Sequence, residues 1–321
     1  MSPRILGIHH VTAIAGAPQR NVDFYVGTLG LRLVKRTVNF DDPGTYHLYY
    51  GDQVGRPGTI MTFFPWPGAP RGRIGVGQVT VTAFFIPARA VGFWQERLRR
   101  HGIATRGPTA RFDETVLAFE DPDGLPLELV ASDDDARAGW PDGPIPEAYA
   151  IRGFHSVTLS ERGLDEGGRR TLGLLDEGLG FRLVGEASGR FRFAAGEGGA
   201  GALVDVLCLD GAPAGETAVG TVHHVAWRTP DEAHQRAWQE RIAHLGLRVT
   251  DVRDRRYFRS IYFREPGGVL FEIATDPPGF TVDEPPAHLG KHLMLPPWLE
   301  PRRAQLERAL PPLSIPEVRT S

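Results

Sequence analysis

The sequence of 321 residues contains a single cysteine, Cys208, and only two lysines, Lys35 and Lys291. One cysteine excludes an internal disulfide, and its place in the apolar run LVDVLCL indicates a small core residue and not a nucleophile. The other basic residues are arginines, interspersed with acidic residues to a net charge of −3. The sequence has no basic stripe, so we expect neither nucleic acid nor an anionic membrane as a partner.

The sequence also lacks an apolar segment of the roughly 18–20 residues that are needed to span a bilayer. Its N-terminal segment, MSPRILGIHHVT, has no apolar core followed by a small-residue cleavage site, which a signal peptide would have. Hydrophobic residues make up 41% of the chain and charged residues 23%, which is ordinary for a folded protein. These features predict a cytoplasmic globular protein with two domains or one large one.

A unit of one strand, one helix and three strands begins at Gly7. Its first segment, GIHHVTAIAG, alternates and is β-branched, as strands are. The next segment has apolar residues at helical spacing and ends at Gly30, where a helix cap is expected. Strand-like runs follow, among them TYHLYYGD and GTIMTFFPW. The same order returns near the C-terminus in GTVHHVAWRTP, the helical DEAHQRAWQERIAHLGL, and the runs LRVTDVRD, RSIYFREPG and GVLFEIATD.

Two weaker copies of the unit lie between these. One runs from GQVTVTAFFIP to DPDGLPLELVAS, and the other runs from GFHSVTLS to GGAGALVDVLCL. All four copies share a helix end that leads into a strand, written TLGLRLV, RHGIATR, GLGFRLV and HLGLRVT. Four such matches in series indicate a repeat architecture.

The repeats divide the chain into two halves. We expect an α+β fold in which residues 4–132 carry two βαβββ modules and residues 150–276 carry two more. The polar stretch 133–149, with its prolines and glycines, is expected to link the halves. Residues 277–321 are expected to form a Pro-rich extended arm with one short helix from about Glu300 to Leu310. This arm would serve as a lid, a brace or an interface.

This module, used in pairs, resembles the vicinal-oxygen-chelate superfamily, which includes glyoxalase I, fosfomycin-resistance proteins and extradiol dioxygenases. The resemblance covers residues 4–276. The segments HHVT, VHHVAW, YFRSIYFREPGGVLFEIATDPPGF and LPPWLE are similar to the hydroquinone-type ring-cleaving dioxygenases. Those enzymes act on chloro- or methyl-substituted hydroquinones.

The resemblance implies that two modules form one open barrel with a metal ion inside. It implies that the ligands are the second histidine of each HH pair and the glutamate of the last strand, which are His10, His224 and Glu272. Two histidines and one carboxylate suit iron(II) and leave coordination positions for a substrate and dioxygen. Manganese(II) is compatible with the same ligands.

An internal alignment of the four copies tests this ligand set. The paired first-strand and last-strand positions are His10 and Thr62, Val81 and Glu128, Ser156 and Asp205, and His224 and Glu272. Only the first and fourth copies together bring two histidines and a glutamate into one barrel. We therefore predict that modules 1 and 4 share the metal-containing barrel, and that the barrel of modules 2 and 3 is vestigial.

The resemblance also implies that His9, Thr12, His223, Arg255 and Tyr262 surround the substrate. Strand alternation by itself places His9 on the face opposite His10, and only a twist or bulge in the strand would reconcile the two. A solvated turn charge is the plain interpretation of Arg255, with Arg253, Arg256 and Arg259 as competitors. A core aromatic is the plain interpretation of Tyr262.

The expected function is an iron(II)-dependent ring-cleaving dioxygenase acting on a substituted hydroquinone or a related dihydroxy aromatic. Its partners would be a small aromatic substrate and dioxygen, with a homodimer expected by analogy only. A competing function is that of a glyoxalase-like lyase, isomerase or thiol transferase, which would complete the metal with a fourth protein ligand where Thr62 stands. A catechol extradiol dioxygenase and a non-catalytic sequestering protein are two further competing functions.

Overall fold

The computed structural model describes residues 3–133 and 137–316 and contains the four predicted modules. Module 1 consists of β1 (Ile8–Ala15), α1 (Pro18–Val22), β2 (Arg32–Val38), β3 (Tyr46–Gly51) and β4 (Ile60–Pro65). Module 2 consists of β5 (Gln78–Pro87), α2 (Val91–Arg100), β6 (Arg106–Arg111), β7 (Glu114–Glu120) and β8 (Pro126–Ser132). Module 3 consists of β9 (Phe154–Arg162), α3 (Arg169–Gly173), β10 (Arg182–Ala187), β11 (Arg190–Ala194) and β12 (Leu203–Leu209). Module 4 consists of β13 (Thr221–Thr229), α4 (Glu232–His244), β14 (Arg253–Asp254), β15 (Arg259–Arg264) and β16 (Leu270–Thr275).

The strands form two curled sheets of eight strands each, and modules 1 and 4 share one of them. Its strand order is β14-β15-β16-β13-β1-β4-β3-β2, whereas modules 2 and 3 form the order β10-β11-β12-β9-β5-β8-β7-β6. Strands β1 and β13 lie antiparallel at the centre of the first sheet, with Thr12 opposite His224. The predicted α+β fold and the predicted pairing of the first and last modules are confirmed.

Helix α4 shows why the local sequence forms these elements. The Asp231 side chain accepts a hydrogen bond from the His234 amide at 2.9 Å and so caps the first turn. Three residues at helical spacing, Gln235, Trp238 and Ile242, form its buried face. This face packs on β15 and β16, where the Gln235 side-chain amide donates hydrogen bonds to the backbone carbonyls of Arg259 and Ile273. The helix thereby supports the strands that carry Tyr262 and Glu272.

The predicted strand LRVTDVRD is shorter than expected. Only the two residues of β14 are strand, with one isolated bridge between Val249 and Phe263. The Tyr262 backbone amide donates a hydrogen bond to the Thr250 hydroxyl at 3.1 Å. In a regular β-ladder, that amide would donate to a backbone carbonyl. Because a side chain takes the place of the backbone acceptor, the β-ladder is interrupted, and the LRVTDVRD segment is irregular beside the cavity described below.

The C-terminal arm braces module 1 in the part that the structure describes, up to residue 316. Lys35 on β2 is fully buried, and its ammonium donates to Asp283 at 2.7 Å and to Glu284 at 2.6 Å. The Met294 amide donates to the Arg36 carbonyl at 2.9 Å, so the arm also runs along this edge strand. The helical turn that begins at Glu300 continues into α5 (Arg303–Ala309), near the predicted short helix.

The division into residues 4–132, 133–149 and 150–276 stays a prediction about the chain. Residues 134–136 of the expected linker and 317–321 of the expected arm lie outside the described residues. Cys208 is partly buried and packs against the core. Among residues 3–133 and 137–316, no helix is long and apolar enough to cross a membrane.

Candidate metal centre and active site

Three side chains from the central strands of the first sheet meet at one point. His10 is on β1, His224 on β13 and Glu272 on β16, which runs parallel to β13. The two Nε2 atoms are 3.3 Å apart, and Glu272 Oε2 lies 3.3 Å from His10 Nε2 and 3.0 Å from His224 Nε2. All three residues are buried, and together they form a group that could hold a metal ion.

The chemistry of this group fits a cation. A carboxylate buried as completely as Glu272 costs several kcal/mol unless it is compensated. Its Oε2 atom nevertheless accepts no hydrogen bond from any described residue. Ligands held at about 2.0–2.2 Å from one cation and at right angles lie roughly 3 Å apart, which matches the three observed separations.

The charge state of Glu272 depends on its neighbours. Burial by itself raises the pKa of this carboxyl, but His10 and His224 outweigh that effect and hold the pKa well below its usual range. The Ser260 hydroxyl on β15 donates to the other oxygen, Oε1. Glu272 is therefore an oriented carboxylate whose free oxygen faces the two imidazoles.

The first histidine of each HH pair fixes the second. His9 Nδ1 lies 2.9 Å from His10 Nδ1, and His223 Nδ1 lies 2.8 Å from His224 Nδ1. When Nε2 of His10 or His224 offers its lone pair to a cation, Nδ1 carries the proton and donates it to the neighbouring ring. Burial, reinforced by His224, lowers the pKa of His223 to about 3, so this imidazole is neutral and can accept that bond.

His9 and Thr12 lie away from the cavity beside the three converging residues. This cavity of about 350 Å³ is lined by His10, His224, Glu272, His223, Arg255 and Tyr262 but, among the described residues, by neither His9 nor Thr12. A register irregularity does occur between Ile8 and His10, yet the His9 ring packs on Phe258, with ring centroids 4.9 Å apart, and does not line the cavity. Thr12 Oγ1 is instead 3.0 Å from Thr62 Oγ1. Strand alternation therefore predicts the orientation of His9 better than the resemblance does.

Arg255 and Tyr262 act as a pair at the cavity wall. Arg255 Nε donates to the Tyr262 hydroxyl at 3.0 Å, and Arg255 Nη1 contacts Asp41 at 2.9 Å. Burial, reinforced by Glu272, raises the pKa of Tyr262 above its usual value, so its phenol is protonated at neutral pH. Because the Tyr262 oxygen already accepts from Arg255, its own proton is available as a donor.

The competing arginines have other partners. Arg259 contacts Glu232 of α4 at 2.7 Å, and Arg256 lies 3.7 Å from Asp283 of the arm. Arg253 also lines the cavity and shares Asp41 with Arg255, at 3.6 Å. Arg255 is thus the arginine of this group that contacts Tyr262.

Two cavity residues on β3, His47 and Tyr49, are not among the site residues predicted from the sequence. His47 Nε2 is 2.7 Å from Thr62 Oγ1, and His47 Nδ1 is 2.8 Å from the Tyr49 hydroxyl. Both residues line the cavity together with Phe64. Their alternation in TYHLYY places them on one face of a strand, and that pattern could have singled them out.

The second barrel holds ion pairs at the equivalent positions. Glu128 is paired with Arg111 through contacts of 3.0 and 2.5 Å. Asp205, the counterpart of Glu272, accepts from Arg192 at 2.7 Å and from Arg190 at 3.0 Å. Guanidinium groups thus already compensate both carboxylates, and no group of metal-type ligands forms there among the described residues.

The chain is similar to known proteins over almost its whole length. The chain matches the family described as Glyoxalase/Bleomycin resistance protein/Dioxygenase superfamily over residues 7–129 and 169–273. It is 48% identical over 318 residues to "Putative ring-cleaving dioxygenase MhqO" of Bacillus subtilis, covering 99% of this chain and 100% of that one. It is 37% identical to "Chlorohydroquinone/hydroquinone 1,2-dioxygenase" of Sphingobium indicum, covering 96% of each.

A solved structure extends the similarity to the whole fold. The crystal structure of a Bacillus subtilis protein described as a "putative dioxygenase" superposes with a TM-score of 0.93 at 47% identity. The match covers 98% of this chain and 100% of that one. The resemblance to ring-cleaving dioxygenases noted in the sequence is confirmed by these relatives, and the chain belongs to the glyoxalase/bleomycin resistance protein/dioxygenase superfamily.

Proposed function

We propose that this protein is an iron(II)-dependent ring-cleaving dioxygenase that acts on a substituted hydroquinone, with His10, His224 and Glu272 as the iron ligands. One observation carries the proposal. Three buried ligand atoms lie 3.0–3.3 Å from one another beside a cavity. Two histidines and one carboxylate that leave positions open are typical of iron(II) oxygenases. Manganese(II) is compatible with the same ligands.

The position of a possible fourth protein ligand, which is one corner of the site, favours an oxygenase over a glyoxalase-like enzyme. Thr62 occupies the position at which a fourth protein ligand would stand. Its hydroxyl is engaged by Thr12 at 3.0 Å and by His47 at 2.7 Å. A neutral hydroxyl with two such partners is a poor metal ligand, so this corner stays open to exogenous molecules.

Bound iron(II) would couple an electron-rich ring to dioxygen, so that one ring carbon–carbon bond breaks and both oxygen atoms enter the product. Neighbouring residues of the protein orient the three ligand side chains. Ser260 orients Glu272, and His9 and His223 orient the two ligand imidazoles through their Nδ1 atoms.

The cavity supplies donors and flat walls for an aromatic substrate. Tyr262 offers its phenolic proton, because Arg255 occupies an acceptor position on its oxygen. His223 accepts at Nδ1 and therefore carries its proton on Nε2, which makes it a second donor. Phe64 and Phe258 line the cavity and would pack against a bound aromatic ring. We assign Tyr262 and His223 as donors to the substrate's oxygen atoms.

The substrate class rests on a relative. The Sphingobium indicum protein is named for chlorohydroquinone and hydroquinone, and it is 37% identical to this chain over 316 residues. We extend that substrate class to this chain, with dioxygen as co-substrate. A catechol is the competing substrate, and the three ligands by themselves do not favour either ring.

Oxygen uptake by the iron(II)-loaded protein tests the proposal. The protein is reconstituted anaerobically and given chlorohydroquinone, methylhydroquinone or catechol, with His224→Ala as the control. We expect iron-dependent uptake and a ring-opened product with the two hydroquinones, and neither with the control. Faster cleavage of catechol would reassign the substrate, and no uptake with any ring would refute the function.

A further inference from the structure

Modules 1 and 4 place equivalent residues on the two sides of the metal centre. Tyr49 pairs with Thr62 across β3 and β4, as Tyr262 pairs with Glu272 across β15 and β16. His10 and His224 are likewise equivalent, as first-strand residues. The cavity therefore has a tyrosine on each side, and both tyrosines line it.

The last-strand positions of modules 1 and 4 beside the metal centre, Thr62 and Glu272, are called corners here, and they differ in charge. In module 4 the corner holds the Glu272 carboxylate, and Ser260 donates to it. In module 1 the corner holds the neutral Thr62, and His47 takes the position that corresponds to Ser260. Two anions therefore do not face each other across the centre, and an oxygen with negative charge can approach the module 1 corner.

His47 links this corner into one chain of hydrogen bonds. The chain runs from Thr12 through Thr62 to His47 Nε2, and from His47 Nδ1 to the Tyr49 hydroxyl, with steps of 3.0, 2.7 and 2.8 Å. The imidazole is held between Tyr49 and Phe64, with ring centroids 4.0 and 4.4 Å away. A ring that packs against two aromatic side chains has little freedom to leave this position.

The direction of this chain can reverse. A neutral imidazole donates at one nitrogen and accepts at the other, and each hydroxyl can do either. With Nδ1 protonated, His47 donates to the Tyr49 oxygen, and the phenolic proton of Tyr49 is free to point into the cavity. With Nε2 protonated, Tyr49 donates to His47, and its oxygen can accept from a ligand. The corner therefore matches an oxygen in either its protonated or its ionised form.

We propose that this corner is the subsite for a phenolic oxygen of the substrate, with Tyr49 as the contact and His47 as the residue that positions it. The inference rests on the proposed function and adds residues that neither the ligand set nor the Arg255–Tyr262 pair includes. A phenolic oxygen suits the subsite because it ionises and needs a partner that can donate or accept.

Anaerobic titration calorimetry of the iron(II)-loaded protein with chlorohydroquinone tests the subsite. We expect Tyr49→Phe to weaken binding about three- to tenfold, as the loss of one hydrogen bond does, with one bound iron retained. The matched control is Tyr50→Phe on the same strand, whose hydroxyl donates to Asn21 at 2.8 Å inside the core. This control should bind chlorohydroquinone as the wild type does.

Variants of His47 separate positioning from packing. His47→Leu should weaken binding as Tyr49→Phe does, and His47→Asn should restore part of the affinity by keeping a polar partner near the Nδ1 position. Wild-type affinity in Tyr49→Phe would overturn the subsite while leaving the dioxygenase intact. Loss of iron from that variant would also overturn it, because the corner would then belong to the metal site. A wild type that neither binds chlorohydroquinone nor consumes oxygen would overturn both proposals.

Discussion

His10 and His224 are 214 residues apart in the chain, and their Nε2 atoms lie 3.3 Å from each other. The contact exists because β1 and β13 pair at the centre of a sheet built from the first and last modules. If module 1 had paired with module 2, and module 3 with module 4, the two histidines would lie in different barrels. The middle modules form a sheet of their own, in which arginines pair with the carboxylates at the corresponding positions, Glu128 and Asp205.

Ser260 is expected to tune the affinity of the site for iron. Its hydroxyl donates to Glu272 Oε1 and so fixes the carboxylate that faces both histidines. We predict that Ser260→Ala weakens iron(II) binding by roughly 10–100-fold, the usual effect of removing a partner of a metal ligand. A competitive chelator titration measures this change.

The control for Ser260→Ala is another buried serine. Ser160→Ala removes a hydroxyl that lies 2.7 Å from Thr80 in the other sheet. Equal iron affinity of the two variants would show that Ser260 does not act through Glu272.

Tyr262 is expected to act on the rate and not on the metal. Removing its donor with Tyr262→Phe should lower kcat on the order of 100-fold, as the loss of a preorganised donor does, with iron content unchanged. Steady-state oxygen uptake measures the rate. Tyr46→Phe is the control, because its hydroxyl donates to the Pro311 carbonyl of the arm at 2.9 Å. A fall in kcat of equal size in both variants would remove Tyr262 from the reaction.

The two lysines should differ sharply in their contribution to stability. Lys35 is buried against Asp283 and Glu284, whereas Lys291 is exposed. Lys35→Met removes the buried ammonium that donates to both carboxylates and should lower the free energy of unfolding by about 3–5 kcal/mol. Lys291→Met should change it by less than about 0.5 kcal/mol. Urea denaturation compares them, and equal values would show that the arm is not braced through Lys35.

Glu161 should make stability depend on pH. It is buried, and neither of its oxygens has a hydrogen-bond partner among the described residues. Burial, reinforced by Glu265, raises the pKa of Glu161 to about 8. A carboxyl with a raised folded pKa keeps its proton in the folded protein, so its stabilising effect is complete below the unfolded pKa of about 4.3 and falls as pH rises toward 8.

The neutral variant Glu161→Gln removes this dependence. At pH 8.5 we expect it to be more stable than the wild type by at least about 1.4 kcal/mol, the equivalent of one pKa unit, with the difference shrinking toward pH 4. The control is Glu216→Gln, whose carboxylate is largely exposed. A difference from the wild type that stays constant across this pH range would contradict the raised pKa.

The repeated patterns of the sequence predicted the four modules, and the pairing of modules 1 and 4 was predicted from the positions of the ligands that the resemblance implies. The candidate ligands were implied by the resemblance to the superfamily, and the HH pairs at equivalent positions of modules 1 and 4 agreed with it. The alternation in TYHLYY places His47 and Tyr49 on one face of a strand, but only the register of β3 against β4 shows that the imidazole of His47 meets Thr62. The two partners of Lys35 could not be predicted from the sequence either, since Asp283 and Glu284 lie 248 and 249 residues away.

The stoichiometry of iron(II) binding measures the proposed site most directly. Anaerobic titration should give one iron per wild-type chain and none in Glu272→Gln, which keeps the size of the side chain but removes its charge. Far-UV circular dichroism confirms that the variant is folded. One iron retained by Glu272→Gln, or none bound by the wild type, would contradict the assignment of His10, His224 and Glu272 as the metal ligands.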